Sequence, residues 1–204
     1  MSRVITIDYP EALTMAVEVL QAGGLVVLPT DTVYGVGCLL KAPAIDRVFS
    51  AKRRTPEKAI PVLLASIDNV HQVVSDFSEP ARRLAEAFWP GPLTLVLPKR
   101  ADLPENLTTL DTVGVRVPDH AATRAIIAAA GGVLAVTSAN RSDQIPACTI
   151  QAAIRYLSES VTLYLDDGTC VGGVPSTVVA FEGGEPVIVR QGPISEDDLR
   201  AALA

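Results

Sequence analysis

The chain has 204 residues, of which 49% are hydrophobic and 20% charged, a composition typical of a single globular domain over residues 1–204. Its net charge of -6 disfavours a general nucleic-acid-binding surface, because such surfaces need clustered Lys and Arg to neutralise phosphates. With two histidines and three cysteines that form no C-x-x-C pair, neither a metal site built from protein side chains nor a disulfide framework is expected.

Taken in chain order, the predicted elements alternate between helices and short apolar strands. After an alternating strand pattern at the start, residues 10–23 form an amphipathic helix with Leu13, Ala16, Val17 and Leu20 on one face. A buried strand follows at 24–28. The later pattern predicts helix 44–52, strand 60–64, helix 79–88, strands 93–97 and 113–117, helix 121–130, strand 133–137, helix 150–157, strands 162–165, 177–181 and 187–190, and helix 196–203.

This alternation predicts an α/β fold of the α+β type, with helices flanking a twisted sheet. Strands that follow one another closely, such as Val27 with 33–38 and Val179 with Val187, favour antiparallel hairpins, so we expect a mixed parallel and antiparallel sheet. The segment 102–111 has the most loop-like composition. We interpret the three cysteines as small core residues; they are Cys38, Cys148 and Cys170.

Neither a membrane span nor a signal peptide is expected. The longest nearly apolar stretch, residues 125–136, is interrupted by Gly131 and Gly132 and falls short of the roughly 20 residues that cross a bilayer. The first residues enter a strand pattern directly, without an apolar core and cleavage site. We therefore predict a cytoplasmic protein that does not bind membranes.

Four predicted strand ends open into loops rich in hydroxyl groups, glycine and proline, at 29–35, 137–140, 173–177 and 190–193. Ligands usually bind at such loops in α/β proteins, because a rigid sheet holds the loops in place. Any one of these loops alone is weak evidence, since Ser, Thr and Asn at strand ends commonly just cap turns and helices.

A dense basic cluster, Lys52-Arg53-Arg54 with Lys58, lies on this acidic chain. The cluster suits a small anion better than a duplex, although cations also favour the negative end of a helix dipole. No G-x-x-x-x-G-K-[ST] phosphate loop and no complete dinucleotide fingerprint is present, so a nucleotide would have to be held by side chains. The candidates are Lys52, Arg54, Arg190, Ser138, Asn140 and Ser176.

Motifs along nearly the whole chain resemble those of the YrdC/TsaC threonylcarbamoyl-AMP synthases. They occur in the family's order, and together they make a chance match very improbable. The motifs are 29–35, the K-x-R pattern at 52–54, 89–94, 116–120, 138–140, 176–178 and 190–192.

The resemblance implies a YrdC-like twisted sheet with a concave, positively charged cleft. It also implies a nucleotidyltransferase that forms L-threonylcarbamoyladenylate and pyrophosphate from L-threonine, bicarbonate or carbon dioxide, and ATP, for the t6A modification of tRNA at adenosine 37. Mg²⁺ would enter with ATP as its cofactor. Handover to a tRNA threonylcarbamoyl transferase complex is expected, and weak direct binding of tRNA or double-stranded RNA is a further expectation.

The resemblance also implies roles for individual residues. The catalytic set consists of Lys52, Arg54, Ser138 and Asn140. The ATP-binding positions are these four together with Lys58, Thr112, Pro146 and Arg190. The threonine-binding positions are Thr30, Thr32, Tyr34, Arg116 and Ser176.

The resemblance and side-chain chemistry together suggest how these groups act. The planar fork of Arg116 suits the threonine carboxylate, while Lys52 and Arg54 would lie against phosphates. The chain departs from the family at two positions: Arg53 replaces a glycine often found inside K-x-R, and Leu63 stands where many relatives place a histidine near the threonine.

Three other functions remain open at this stage. An RNA-binding module without catalysis is disfavoured by the net charge of -6 and an aromatic content of 4%. A YrdC-like paralogue acting on another carbamoyl compound would typically lack the K-x-R and S-x-N residues that are present here. A purely structural protein would leave the clustering of hydroxyl-bearing strand ends and cations unexplained.

Overall fold

The computed structural model describes residues 2–55 and 57–204, and within them ten strands form one sheet. The strands are β1 (Arg3–Thr6), β2 (Val26–Leu28), β3 (Gly35–Cys38), β4 (Val62–Leu64), β5 (Leu93–Pro98), β6 (Thr112–Arg116), β7 (Val133–Ser138), β8 (Leu163–Asp166), β9 (Thr177–Glu182) and β10 (Glu185–Arg190). Their order across the sheet is β1-β8-β2-β3-β7-β4-β6-β5-β9-β10.

Six α-helices in the described part of the chain lie close to their predicted positions. They are α1 (Ala12–Gln21), α2 (Ala42–Lys52), α3 (Glu79–Phe88), α4 (Ala121–Ala129), α5 (Ile150–Leu157) and α6 (Glu196–Leu203). Short 3₁₀ turns occupy Ile67–Gln72, Glu105–Leu107 and Ser158–Ser160, the second of them inside the segment predicted as a loop.

The strand pairing confirms the expected mixed sheet. The predicted hairpins form, with β2 antiparallel to β3 and β9 antiparallel to β10. Parallel pairs join β8 to both β1 and β2, β4 to β6, and β5 to β9. Parallel strands need long crossover connections, which the intervening helices provide.

Both faces of the central strands are buried, because helices cover the sheet on each side. Val27 of β2 packs into one core cluster, whereas its neighbours Val26 and Leu28 pack into the other, as the period-2 geometry of a strand requires. Helices α1 and α4 contribute to the second cluster, and α2, α3, α5 and α6 contribute to the first. The sheet is therefore a rigid central layer whose strand ends can carry a site.

Two expectations about buried residues are wrong. Leu13 is 41% exposed, because α1 turns the row Ala12, Ala16 and Leu20 toward the sheet, where small alanines allow close packing. Cys148 and Cys170 are only partly buried, since both lie in loops, whereas Cys38 on β3 is buried as expected.

None of the helices in the described residues is long and apolar enough to span a membrane.

Candidate functional site

The hydroxyl-rich strand ends contact one another. The loop before β3 is tied to the loop after β7 by Tyr34 N–H donating to Ala147 O at 2.9 Å and by Ala139 N–H donating to Tyr34 O at 2.7 Å. Gly173 N–H donates to Thr32 O at 2.9 Å, which brings in the loop before β9. Three loops that are distant in sequence therefore meet at the ends of strands in one sheet, as their shared pattern predicted.

Thr30 and Thr32 form a hydroxyl-bonded turn at this meeting point. The Thr30 hydroxyl donates to Val33 O at 2.6 Å and accepts the backbone N–H groups of Thr32 and Val33. The two threonine oxygens lie 3.0 Å apart. Because a hydroxyl has one proton and that of Thr30 goes to Val33, the Thr32 hydroxyl is the donor between them.

Arg116, at the end of β6, is the buried cation of this region, with 6% of its surface exposed. Its Nε donates to Gly91 O and its Nη1 to the Thr32 hydroxyl, both at 2.9 Å, while Nη2 donates to Asp31 Oδ1 at 2.5 Å. Burial lowers the pKa of the guanidinium, and the Asp31 carboxylate opposes that effect. Three of the five N–H groups are used by these contacts, which leaves two for a ligand.

Asp31 is a functional candidate that the sequence reasoning did not single out. Its Oδ1 accepts from Arg116 and from the backbone N–H of Asp119, at 3.1 Å, so it fixes the orientation of the guanidinium. The signal was available in the sequence, since Asp31 lies between the two selected threonines and carries the charge opposite to that of Arg116.

Ser176 and Arg190 form a second polar cluster, and Arg190 is near enough to Arg116 for its charge to lower the pKa of that guanidinium. Arg190 donates to Ser176 O at 2.8 Å and to its hydroxyl oxygen at 3.2 Å. The Ser176 hydroxyl also lies 2.8 Å from that of Thr94 on β5, and both residues are buried. Thr94 closes one of the matching motifs, yet its pairing with Ser176 depends on the parallel contact of β5 and β9 and was not foreseen.

Lys52, the last residue of α2, is buried with only 1% of its surface exposed. Its ammonium donates to the backbone carbonyls of Ser138 and Asn140, at the end of β7. Burial, and to a lesser degree the neighbouring Arg54, lowers the pKa of Lys52 to about 7. The structure thus places this amine against two carbonyls, where a position against phosphates was expected.

Asn140 organises the loop that Lys52 holds. Its amide nitrogen donates to the carbonyls of Arg141 and Gln144, each at 2.8 Å, which closes residues 140–144 into a turn. Its Oδ1 is buried and has no hydrogen-bond partner within the described residues. Such an atom costs free energy unless a donor reaches it, so this position suits a ligand or a water molecule.

Arg54 and Lys58 lie beside the same loop. The Arg54 guanidinium donates to Lys58 O at 2.9 Å and to Ala59 O at 2.7 Å, and burial lowers its pKa. Lys58 forms an exposed ion pair with Asp143 at 2.6 Å. Lys52, Arg54 and Lys58 therefore lie around residues 138–144.

Three predicted positions either support the site from a neighbouring segment or lie at a distance from it. The Tyr34 side chain is buried, and its hydroxyl donates to Gly168 O at 2.8 Å and accepts from Asp167 N–H at 2.9 Å, so it ties the segment before β3 to the loop after β8. Burial raises the pKa of Tyr34. Thr112 begins β6 and lies about 13 Å along that strand from Arg116. Pro146 precedes the Ala147 that binds Tyr34 and is partly buried.

Within residues 2–55 and 57–204, no group of three or more His, Cys, Asp or Glu side chains is arranged to hold a metal ion. The polar groups around Thr32, Ser176 and Lys52 are mainly hydroxyls, guanidiniums and carbonyls. These groups suit recognition of an anionic ligand by hydrogen bonds and cations.

Comparison with known proteins places these residues in a wider context. A family model that covers Sua5, YciO and YrdC, described as "Telomere recombination", matches residues 18–192. The threonylcarbamoyl-AMP synthase of Pyrococcus abyssi is 33% identical over 94% of this chain and 57% of its own length. A putative threonylcarbamoyl-AMP synthase of Mycobacterium tuberculosis is 35% identical over 94% of this chain and 88% of its own.

A solved structure gives the same result in three dimensions. P. abyssi Sua5 complexed with L-threonine is similar with a TM-score of 0.93 and 31% identity, over 100% of this chain and 61% of that one. This chain thus spans less than two thirds of the P. abyssi protein in both comparisons. The resemblance covers the sheet and all the strand-end loops described above.

Proposed function

The chain belongs to the Sua5/YciO/YrdC family, and on that premise we propose that it is a threonylcarbamoyl-AMP synthase. It would form L-threonylcarbamoyladenylate and pyrophosphate from L-threonine, bicarbonate or carbon dioxide, and ATP. The observation that carries the proposal is that the loop of Thr32, which bonds Arg116, is hydrogen-bonded to the loop after β7 that Lys52 holds. The named relatives do not favour the RNA-binding or paralogue alternatives.

The threonine would bind at the Arg116 end of this site. The two remaining N–H groups of Arg116 suit a carboxylate, and Asp31 holds the guanidinium in place for it. Leu63 pairs with Arg116 in the β4–β6 ladder, and side chains of paired residues share one face of a sheet. Leu63 would therefore offer an apolar wall to the threonine methyl where many relatives have a histidine.

The nucleotide would bind at the other end, against Arg54, Lys58, Arg190 and the 140–144 loop. In this arrangement Lys52 acts by fixing the carbonyls of Ser138 and Asn140, which leaves the Asn140 Oδ1 to the ligand. Mg²⁺ would supply further neutralisation of the triphosphate. It would be held by ATP oxygens, since the described site offers hydroxyls and cations in preference to clustered carboxylates.

The proposed chemistry is nucleotidyl transfer. The threonine amine adds to carbon dioxide and loses a proton, and a carbamate oxygen then attacks the α-phosphorus of ATP as the bond to pyrophosphate breaks. Two unit negative charges about 4 Å apart repel by roughly 4 kcal/mol at an effective dielectric near 20. The chain's task is therefore to position the reactants and offset this repulsion with fixed cations, without a covalent nucleophile.

The wider setting is part of the same proposal. The product would serve the t6A modification of tRNA at adenosine 37 after handover to a tRNA threonylcarbamoyl transferase complex. We further propose that residues 1–204 act as one YrdC-like domain in the cytoplasm, with direct tRNA contact weak because of the net charge of -6.

The test measures pyrophosphate release by purified protein with ATP, bicarbonate and each amino acid in turn. Release should depend on threonine. Replacing Ser176 with Ala should raise the KM for threonine about 2- to 12-fold, the worth of one neutral hydrogen bond, with a smaller effect on the KM for ATP. Ser75→Ala, at an exposed position outside the site, is the matched control. Release that is independent of the amino acid would refute the proposal, and equal losses for both substrates would refute the role of Ser176.

A further inference from the structure

A second concave region lies beside the C-terminal ends of α2 and α5. This cavity of about 580 Å³, the arginine cavity, is lined by Lys52 together with Arg53, Arg141, Ser142, Gln144, Arg155 and Tyr156. The cavity adjoins the proposed nucleotide site, because Lys52 and part of the 140–144 loop line it. It also presents guanidiniums to which the proposed site assigns no role.

The arginine cavity has a surplus of positive charge. Arg53, Arg141 and Arg155 all line it, no acidic residue does, and none of the three takes part in an ion pair within the described residues. The rest of the chain is acidic, with a net charge of -6. A concavity lined by cations of one sign attracts small anions.

The three arginines all lie near helix C-termini. Arg155 lies in the last turn of α5 and Arg53 caps α2 in a left-handed conformation, so each lies near the negative end of a helix dipole. Arg141 comes from the loop after β7, and its Nε donates to Tyr156 O at 3.1 Å, which fixes the guanidinium at the cavity wall. Tyr156 lies in the last turn of α5, so Arg141 also serves a helix end, but this contact uses only one of its five N–H groups and leaves four for a ligand.

A buried hydroxyl points to the same conclusion. Ser142 lines the arginine cavity, and its Oγ is buried without a hydrogen-bond partner in the part of the chain that the structure describes. Buried polar atoms are nearly always satisfied by protein, water or a ligand. An oxygen-rich anion between the arginines would accept the proton of this hydroxyl.

We propose that the arginine cavity is a second anion site that takes a small polyphosphate, such as inorganic pyrophosphate. Guanidiniums bind phosphate through paired hydrogen bonds, and three of them match a ligand with several phosphate oxygens. A concave site on an acidic protein admits a compact anion but repels a long polyanion at a distance. The inference stands apart from the proposed synthase activity, because it uses residues outside the catalytic set.

The arginine cavity shares a wall with the proposed nucleotide loop. Ser142 N–H donates to Lys52 O at 3.1 Å, and the Asn140 amide donates to Gln144 O and Arg141 O. An anion bound to Arg141 and Ser142 therefore contacts the same turn that positions Asn140. Occupation of the cavity would stabilise that turn.

The test is calorimetric titration of inorganic pyrophosphate into the full chain and its variants. The double variant Arg53→Gln/Arg155→Gln should weaken one binding event at least tenfold, because two charge-assisted contacts are lost. Arg3→Gln, an exposed arginine on β1 that does not line the cavity, should bind as the wild type does. Arg155→Gln alone, on the exposed side of α5, keeps the test available if the double variant does not fold.

Three outcomes would overturn the inference. Unchanged pyrophosphate binding in the double variant would show that the cavity holds no anion. An equal loss in Arg3→Gln would show that overall charge alone is responsible. If the cavity variants reduced filter retention of an RNA stem-loop while pyrophosphate binding stayed intact, the cavity would be an RNA contact instead. None of these measurements requires synthase activity, so failure of one proposal is distinguishable from failure of the other.

Discussion

Replacing Lys52 with Met removes the ammonium that bridges Ser138 O and Asn140 O but keeps an unbranched side chain in the same buried space. Burial lowers the pKa of Lys52 from its ordinary 10.5 to about 7. Below pH 7 the folded and unfolded chains both carry this proton, whereas between pH 7 and 10.5 only the unfolded chain does. Stability rises with pH wherever the unfolded state binds more protons, so the wild type gains stability over that window.

The magnitude follows from the same pKa values. Each pKa unit corresponds to about 1.4 kcal/mol, so the full gain between pH 7 and 10.5 is on the order of 5 kcal/mol. Lys52→Met lacks this gain, and it leaves two buried carbonyls without a donor at a cost of roughly 1 to 3 kcal/mol each. Near pH 6 the variant no longer has to bury a charged ammonium, and this gain offsets the cost of the two carbonyls without a donor. At pH 9 the variant should be less stable than the wild type by several kcal/mol.

Urea unfolding at pH 6, 7.5 and 9 measures this difference. Lys41→Met, which removes an exposed lysine just before the same helix, is the matched control and should track the wild type at every pH. The other titrating groups are the same in all three proteins, so their contributions cancel when the unfolding free energies are compared. If the wild type and Lys52→Met differed by the same free energy at pH 6 and pH 9, Lys52 would remain protonated throughout, and the reasoning from its burial would be refuted.

Two further substitutions test the backbone and the buried ion pair. A Cβ at Gly192 would lie 2.3 Å from neighbouring backbone, so Gly192→Ala should lower the unfolding free energy by more than about 3 kcal/mol in thermal unfolding. Gly168→Ala, with open space around it and a φ of +72°, should lose only about 1 kcal/mol; similar losses in both would contradict the steric argument. Asp31→Asn should destabilise the chain by roughly 3 kcal/mol and raise the KM for threonine, because Arg116 loses its buried counter-charge; an unchanged KM would remove Asp31 from the pocket.

The sequence predicts the helices and strands well where local signals are strong. Helix α5 begins after Thr149, whose side chain accepts Ala152 N–H, and α6 begins after Ser195 in a capping box, so both helices match their predicted bounds. The buried face of α1 was wrong at Leu13, because its apolar residues fit more than one helical stripe. Only packing against the sheet selects the stripe that contains Ala12.

The sequence indicates which residue types could form the site, but it does not show how they are arranged. Lys52 bonds to carbonyls 86 and 88 positions away, and such a contact between a side chain and distant backbone leaves no periodic signal. The motif assigns Tyr34 to the threonine site, but no local signal shows that its hydroxyl bonds Gly168 O and Asp167 N–H, more than 130 positions away. The contact between Thr94 and Ser176 likewise depends on the sheet order.

The threonine pair in the turn before β3 determines which hydrogen-bonding group a ligand must provide there. Since the Thr32 proton is given to Thr30, the oxygen of Thr32 turns only lone pairs toward anything else nearby, and Arg116 already uses one of them. A ligand hydroxyl placed there must bring its own proton. An O-methylated amino acid, whose ether oxygen has none to give, would face lone pair against lone pair and be rejected, even though its shape differs by a single methyl group.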